Sequence, residues 1–287
     1  MARFNKITII GVGLIGGSIG LAIRKRKLAR EVVGVFRRES TLKRALRCKA
    51  VDRAAISIGS GVKGADIIIV ASPVHSIPKI VKMAAECAKE GAIITDAGST
   101  KSWIVNSVEK SLAKFRKIYF VGSHPMAGSE KTGVEAARSD LLNGAPCIVT
   151  KTRNTDKKAL EKIKNFWSAL GSKVSVMTPE EHDKSVSFVS HLPHLVAFSI
   201  AGTVPDKYIK YAAEGFGDTT RVASSDPHLW ADILLTNKEE VLASAIAFDK
   251  TNKKLIRILK EKDAPSLVKL LSKAKAKRDK FVHGASS

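Results

Sequence analysis

Three glycines near the start of the chain have a spacing that suits dinucleotide binding. They form Gly11-x-Gly13-x-x-Gly16, directly after a short apolar run. Gly11 would make a tight turn, Gly13 would let the backbone approach a pyrophosphate, and Gly16 would let a helix pack close to the strand. The backbone amides of Leu14, Ile15 and Gly16 would then face the phosphates, because a helix N-terminus favours negative charge. The alternative is a glycine-rich turn without a ligand.

The residues at the end of the second predicted strand favour NADP over NAD. NAD-binding folds carry an acidic residue there, about twenty residues after the glycines. Phe36 takes that position here, and Arg37, Arg38 and Ser40 follow it. Arginines form charge-assisted hydrogen bonds with a 2′-phosphate, which a carboxylate would repel. We therefore predict that Arg37, Arg38 and Ser40 bind NADP; NAD is the other candidate, and solvated arginines are the alternative without a function.

The loops that follow later predicted strands carry side chains suited to acid–base chemistry. Ser72 and Pro73 follow the third strand, Ser99 follows the fourth, and His124 follows the fifth. Ligands of open α/β sheets bind outside the carboxyl ends of the strands, so these loops should line a cofactor crevice. A histidine can take a proton from a hydroxyl as hydride leaves the same carbon. We predict that His124 is catalytic and shares a hydrogen bond with Ser99, and that Ser72 and Pro73 contact the cofactor. A purely structural histidine is the alternative.

The elements that must position these loops alternate between strand and helix over the first part of the chain. Such alternation predicts a parallel sheet with right-handed crossovers. A helix is expected at residues 156–170, and residues 1–177 should form a dinucleotide-binding domain. The predicted strands cover residues 6–10, 31–36, 66–71, 92–96, 118–121, 146–149 and 173–177.

Helical patterns dominate after Thr178. This residue suits an N-cap, Pro179 suits the first helical position, and acidic residues follow in the first turn. The expected fold class is α/β, with an N-terminal Rossmann-type parallel sheet and a C-terminal all-helical domain at residues 178–287. The predicted helices run from Pro179 toward Gly202 and then over residues 207–214, 227–236, 238–259 and 265–281.

The net charge of +22 on 287 residues is extreme for a chain of ordinary globular composition. It favours acidic metabolites and phosphates by electrostatic steering. It is also compatible with nucleic-acid binding, and with a cytosol of high salt or high temperature. The basic residues are spread through the predicted elements, only 6% of residues are aromatic, and no recognition motif is present, so we do not expect nucleic-acid binding.

Cysteine usage and hydropathy indicate a cytoplasmic protein. Cys48, Cys87 and Cys147 have no CxxC spacing, which argues against a zinc site or a disulfide framework and for a reducing compartment. The apolar stretch after the basic N-terminus resembles a signal peptide, but it holds five glycines and no small-residue cleavage site. No stretch is predicted to cross a membrane, and no metal site is predicted.

Several motifs in this order resemble the prephenate/arogenate dehydrogenase family, over about residues 6–280. The first motif includes His124 and is followed by Lys131-Thr132-Gly133. The others lie in the helical half. The four motifs are GSHPMAGSE at 122–130, SHLPH at 190–194, GFGDTTRVA at 215–223 and DPHLW at 226–230.

The resemblance implies an oxidative decarboxylation. Hydride leaves the ring carbon that bears the hydroxyl, the ring carboxylate departs as CO₂, and the ring becomes aromatic. By analogy with the family, His124 accepts the hydroxyl proton with support from Ser99, and Arg221 holds a substrate carboxylate with its two-pronged guanidinium. The substrate would be prephenate or arogenate, which differ by a keto or an amino group.

Further substrate contacts follow from the same resemblance. His191 and His194 would line the site from one helix face, with polar core packing as the alternative. Asp218 and Trp230 would lie on the substrate side, with hydrophobic core as the alternative for Trp230. The family also implies a homodimer through the helical half and a small dicarboxylate as substrate.

Two alternatives to this function stay open. One is another NADP-dependent dehydrogenase of the β-hydroxyacid type, which would need a catalytic lysine in a recognisable helical motif, and none is evident. The other is a non-catalytic basic protein that senses NADP or binds nucleic acid, which the charge motivates.

Overall fold

The computed structural model describes residues 4–36, 39–115, 117–128 and 131–284. Its contacts divide the chain into two compact units, residues 1–238 and residues 239–287. The domain boundary predicted after residue 177 is a different division of the chain, and it stays a prediction.

A six-stranded parallel sheet forms the centre of the first unit. The strand order is β3-β2-β1-β4-β5-β6, so the chain reverses direction across the sheet between β1 and β4. This order is that of a Rossmann fold, and it confirms the predicted fold class. The strands are β1 (Phe4–Ile10), β2 (Ala29–Val35), β3 (Arg53–Ala55), β4 (Ile67–Val70), β5 (Ile93–Asp96) and β6 (Tyr119–Val121).

Helices cover both faces of this sheet, which is why its inner strands are continuous apolar runs. Ile7 and Ile9 of β1 and Ile67 and Ile69 of β4 are completely buried in one core cluster, and Ile68 faces a second cluster on the opposite side. Strand β3 was not predicted, because its three residues begin with an exposed arginine and form no apolar run. The helices are α1 (Leu14–Lys25), α2 (Glu39–Arg47), α3 (Ile58–Val62), α4 (Ile77–Ala85), α5 (Ser102–Leu112) and α6 (Lys157–Ala169).

A second, three-stranded sheet corrects part of the strand prediction. It consists of β7 (Ser123–Pro125), β8 (Pro146–Thr150) and β9 (Lys173–Met177), with β7 antiparallel to β8 and β9 parallel to it. The strands at 146–149 and 173–177 were therefore predicted correctly but assigned to the wrong sheet. Residues 123–125 were expected in a loop, because three residues ending in proline give no strand pattern.

The first helices after the two sheets begin as predicted. Thr178 caps α7 (Pro179–Val186) in a capping box with Glu181. A π-helical turn, Ser187–His191, then separates α7 from α8 (Leu192–Thr203). The helix predicted to run from Pro179 toward Gly202 is therefore present as one helical stretch, Pro179–Thr203, with this π-helical turn inside it. Pro193 supplies the reason for the turn, because a proline inside a helix lacks a donor and its ring clashes with the carbonyl four residues earlier.

The remaining helices differ from prediction only in one segment. Residues 207–214 were expected to form a helix, but a short helix ends at Ile209 and the next begins at Glu214. In the second unit, large apolar side chains of both helices are exposed, among them Ile246, Leu259 and Phe281. The helices are α9 (Asp206–Ile209), α10 (Glu214–Thr220), α11 (Pro227–Thr236), α12 (Lys238–Glu261) and α13 (Ala264–Gly284).

One helical stretch meets the length and composition of a membrane span, contrary to the sequence-based expectation. It is Pro179–Thr203, within which an 18-residue window has a mean hydropathy of 1.2. The stretch consists of α7, the π-helical turn and α8, and its polar residues His182, Asp183 and His191 are buried in the first unit. Because these residues are hydrogen-bonded to other parts of that unit, we assign the stretch to the folded protein.

Candidate active site

The glycine turn lies where the sheet order reverses, which is the ligand-binding edge of such folds. Gly11 has a φ of +93°, and a Cβ there would lie 2.3 Å from the carbonyl oxygen of Ala71 at the end of β4. The two loops therefore touch, and Ser72 borders the turn. A Cβ on Gly16 would lie 2.1 Å from the carbonyl oxygen of Gly11, so only glycine allows α1 to start this close to β1.

The start of α1 fits a pyrophosphate. Gly13 is its N-cap, and no side chain caps the helix. A Cβ on Gly13 would meet nothing within 4 Å, so this side of the turn is open. The first backbone amides of the helix, at Leu14, Ile15 and Gly16, have no acceptor within the helix. This uncapped, open helix N-terminus suits the phosphates of NAD(P).

The position expected to distinguish NADP from NAD holds a buried aromatic ring. Phe36 is 4% exposed, and its ring lies against the backbone of Gly34. Arg37 and Arg38 lie outside the described residues. Ser40 lies in the first turn of α2, which follows directly. The predicted binding of a 2′-phosphate by these residues stays a prediction.

His124 lies on β7, is 8% exposed, and hydrogen-bonds to a second histidine. Its Nδ1 is 2.8 Å from Nε2 of His182 on α7. Nδ1 of His182 is in turn 2.7 Å from Oδ1 of Asp183. Among the described residues, no hydrogen bond joins Ser99 to His124, and the role predicted for Ser99 stays a prediction.

Asp183 also caps the helix that follows the Ser99 loop. The backbone amides of Lys101 and Ser102 donate to its carboxylate at 2.7 and 2.8 Å. These amides have no acceptor within α5, so Asp183 stabilises the N-terminus of that helix. The His182–Asp183 pair thus connects the strand of His124 with the start of α5.

A buried ion pair lies next to the segments that carry Ser99 and His124, the two predicted catalytic residues. Lys101 Nζ pairs with the carboxylate of Asp96 at the end of β5, and neither side chain is exposed to solvent. The same carboxylate accepts the amide of Ser123 at 3.0 Å and that of Gly98 at 2.9 Å. Asp96 therefore fixes the backbone immediately before both predicted catalytic residues.

Burial is the main reason that the histidines of this site have lowered pKa values. Burial, together with His182, Lys101 and His191, holds the pKa of His124 well below its usual range. Burial likewise lowers the pKa of His182, although its hydrogen bond to Asp183 opposes this. Burial alone would raise the pKa of Asp183, but hydrogen bonds from His182 and two backbone amides keep it below the usual value. The pair is a neutral histidine beside a carboxylate.

His191 follows these residues on the same helical stretch and is completely buried. Its Nδ1 is 3.1 Å from the side-chain amide of Asn237, which also donates to the backbone carbonyl of Asp183. Burial lowers the pKa of His191 to about 4. Its Nε2 is buried without a hydrogen-bond partner. The predicted substrate contact by His191 stays a prediction.

Of the remaining predicted substrate residues, Trp230 and Arg221 lie near His194 at the start of α8. The ring of His194 stacks on Trp230, with centroids 3.6 Å apart and 19° between the planes. Arg221 is exposed at the end of α10 and close enough to His194 that its charge lowers the pKa of that ring, although burial is the larger cause. Asp218 is also exposed on α10. Trp230 is buried in the second core cluster and also forms a wall beside His194.

Sequence reasoning missed the supporting shell of this site. It gave no role to Asp96, Lys101, His182, Asp183 or Asn237. The only sequence signal for one pair was the adjacent histidine and aspartate, His182-Asp183, in the first turns of the helical stretch. Among the described residues, no group of three or more metal-ligating side chains comes together.

The protein has a Rossmann sheet with an open glycine turn, and a neutral, buried histidine on the strand that follows this sheet. Together these features define a dinucleotide-dependent dehydrogenase. The chain belongs to the prephenate dehydrogenase family. The family's nucleotide-binding domain model matches residues 19–176, and its dimerization domain model matches residues 178–273.

Known relatives are similar to this protein along most of the chain. Prephenate dehydrogenase of Bacillus subtilis is 37% identical over 96% of this chain and 76% of its own length. Cyclohexadienyl dehydrogenase of Zymomonas mobilis is 31% identical over 93% of each chain. The crystal structure of prephenate dehydrogenase from Aquifex aeolicus with hydroxyphenyl propionate and NAD⁺ superposes with a TM-score of 0.89 at 34% identity, covering 96% of this chain and 98% of that one. These similarities support neither a β-hydroxyacid dehydrogenase nor a nucleic-acid-binding protein.

Proposed function

We propose that the protein oxidatively decarboxylates prephenate to 4-hydroxyphenylpyruvate, with arogenate, which would give tyrosine, as the other candidate substrate. The observation that carries this proposal is His124, a neutral histidine held by His182 beyond the crevice of a dinucleotide fold. When bound, the dinucleotide supplies the acceptor for the hydride. The glycine turn and the first amides of α1 would hold its pyrophosphate, with Ser72 and Pro73 on the neighbouring loop.

The side chains of this chain would divide the remaining work between proton transfer and substrate binding. His124 takes the proton of the ring hydroxyl as the hydride leaves the same carbon. Arg221 holds a carboxylate of the substrate with two parallel hydrogen bonds. His194 and Trp230 form a stacked wall beside it. Departure of the ring carboxylate as CO₂ then leaves an aromatic ring.

A direct assay tests this function. Purified protein is incubated with prephenate or arogenate and with NAD or NADP, and reduced nucleotide is followed by its absorbance. We expect turnover that depends on one of the two substrates, with 4-hydroxyphenylpyruvate or tyrosine as product. Nucleotide binding without turnover of either substrate would contradict the proposal and favour a sensor.

We propose NADP as the preferred dinucleotide, because Phe36 replaces the carboxylate that would repel a 2′-phosphate. Arg37→Ala is expected to lower kcat/KM for NADP far more than for NAD. A lost hydrogen bond between charged groups costs about 1.5–3 kcal/mol. Steady-state kinetics with both dinucleotides measures the effect, and Arg30→Ala in β2 is a control for the loss of positive charge. An equal loss for NAD and NADP would show that Arg37 does not bind the 2′-phosphate.

We further propose that the protein is a cytoplasmic homodimer. The exposed apolar side chains of α12 and α13 support dimerisation, since single chains rarely leave so many large apolar groups in water. The three cysteines, none of which forms a disulfide, support a reducing compartment.

A further inference from the structure

The hydrogen bonds of Asp183 determine where the protons of the neighbouring histidines lie. Its carboxylate accepts from the backbone amides of Lys101 and Ser102, which can only donate. The third partner is Nδ1 of His182, at 2.7 Å from the oxygen that also accepts the Lys101 amide. An ionised carboxylate has no proton to give, so Nδ1 of His182 must carry the hydrogen.

The position of the proton on His182 determines the position of the proton on His124. A neutral imidazole carries one proton, so a hydrogen on Nδ1 leaves Nε2 of His182 as an acceptor. That atom lies 2.8 Å from Nδ1 of His124, which must therefore be the donor. His124 is then left with a lone pair on Nε2. These proton positions follow from the hydrogen-bond network, as they do for histidines generally.

We infer that Asp183 and His182 form a positioning relay that holds His124 in the tautomer whose Nε2 accepts the substrate's proton. The inference rests on the proposed function. In the proton-transfer step, the O–H bond of the ring hydroxyl breaks and an N–H bond forms at Nε2 of His124. The positive charge that develops on His124 is stabilised through Nδ1–H by the His182 ring and, behind it, by the carboxylate of Asp183. His182 and Asp183 do not contact substrate in this scheme.

Nearby charges fit this arrangement. The ammonium of Lys101 pairs with Asp96 in the buried ion pair and not with Asp183. Asn237 donates to the backbone carbonyl of Asp183 and to His191, which leaves the Asp183 carboxylate to His182 and the two amides. The backbone of Asp183 is thereby anchored independently of its side chain.

Nitrogen NMR of the wild-type protein tests the proton positions directly. The chain contains seven histidines, so ¹⁵N-histidine labelling gives few signals, and His124→Asn and His182→Gln assign the two that matter. We expect a protonated Nδ1 and an unprotonated Nε2 on His124, with the same pattern on His182. A proton on Nε2 of His124 would overturn the inference. This measurement needs no substrate, so it decides the relay even if neither prephenate nor arogenate is turned over.

Two variants of His182 separate positioning from mere packing. The amide of His182→Gln can still donate to Asp183 and accept from His124, whereas His182→Phe fills the space and can do neither. We expect His182→Phe to lower kcat about three- to tenfold, the value of one hydrogen bond, with KM for the substrate little changed. His182→Gln should retain kcat within about twofold, since it keeps that bond. Equal losses in both variants, or a loss that follows the melting temperature alone, would show that His182 is only structural.

Discussion

His124→Asn is expected to lower kcat by about 10²–10⁴-fold, because asparagine cannot accept the proton and general base catalysis typically contributes that much. KM for the substrate should change little. Asparagine can still hydrogen-bond to His182, so β7 should keep its position. Steady-state kinetics with prephenate and NADP measures both constants.

A matched control and a pH profile make this result specific. His228 is exposed on α11, and His228→Asn should leave kcat unchanged. The base must be unprotonated to act, and burial lowers the pKa of His124. In the wild-type protein, kcat/KM should therefore stay constant as pH falls past about 6.5, the ordinary histidine value, and decline only at more acidic pH. A His124→Asn protein that retains more than about a third of wild-type kcat would identify the histidine as structural, since that loss lies below the usual contribution of a base.

Arg221→Ala should raise KM for the substrate by about tenfold to a hundredfold. A hydrogen bond between charged groups is worth about 1.5–3 kcal/mol, and 1.4 kcal/mol corresponds to a factor of ten. Arg221→Lys keeps the charge but loses the two-pronged geometry, so its KM should lie between those of wild type and alanine. KM for NADP should stay nearly constant in both variants.

Thermal melting distinguishes this role from a structural one. Arg221 is exposed and lies at the end of a short helix, so its removal should leave the melting temperature close to that of wild type. If melting falls sharply while KM for the substrate is unchanged, Arg221 stabilises the fold and the carboxylate is bound elsewhere. Lys210→Ala, at an exposed lysine after α9, is a control for the loss of one positive charge from this region.

Local features of the sequence were sufficient to predict where α1, α7 and α11 begin. The glycine turn specifies the start of α1, because its conformation and close contacts admit no side chain at Gly11 or Gly16. Thr178 with Glu181 specifies the start of α7, and Asp226 with Pro227 specifies that of α11. The two caps span four residues each and the glycine turn spans six, so each signal is visible in the sequence without the fold.

The supporting shell of His124 could not be predicted in this way. His182 lies 58 residues from His124, and Asp183 lies 82 residues from Lys101, so only the tertiary fold brings them together. The second sheet was missed for a related reason. An apolar run predicts a buried strand, but it does not say which sheet the strand joins or in which direction it pairs.

The π-helical turn at Ser187–His191 sets the angular phase between the two ends of its helical stretch. An α-helix rotates by about 100° per residue, so His182 and His191, nine residues apart, would project to opposite sides of an unbroken helix. In a π-helical turn the backbone hydrogen bonds join residues five apart instead of four. Each residue of the turn therefore rotates the chain about the helix axis by less than a residue of an α-helix does. The offset brings both rings near His124, whose pKa both of them lower after burial itself. One additional residue, accommodated in the π-helical turn, thus keeps these two histidines from projecting to opposite sides of the helical stretch.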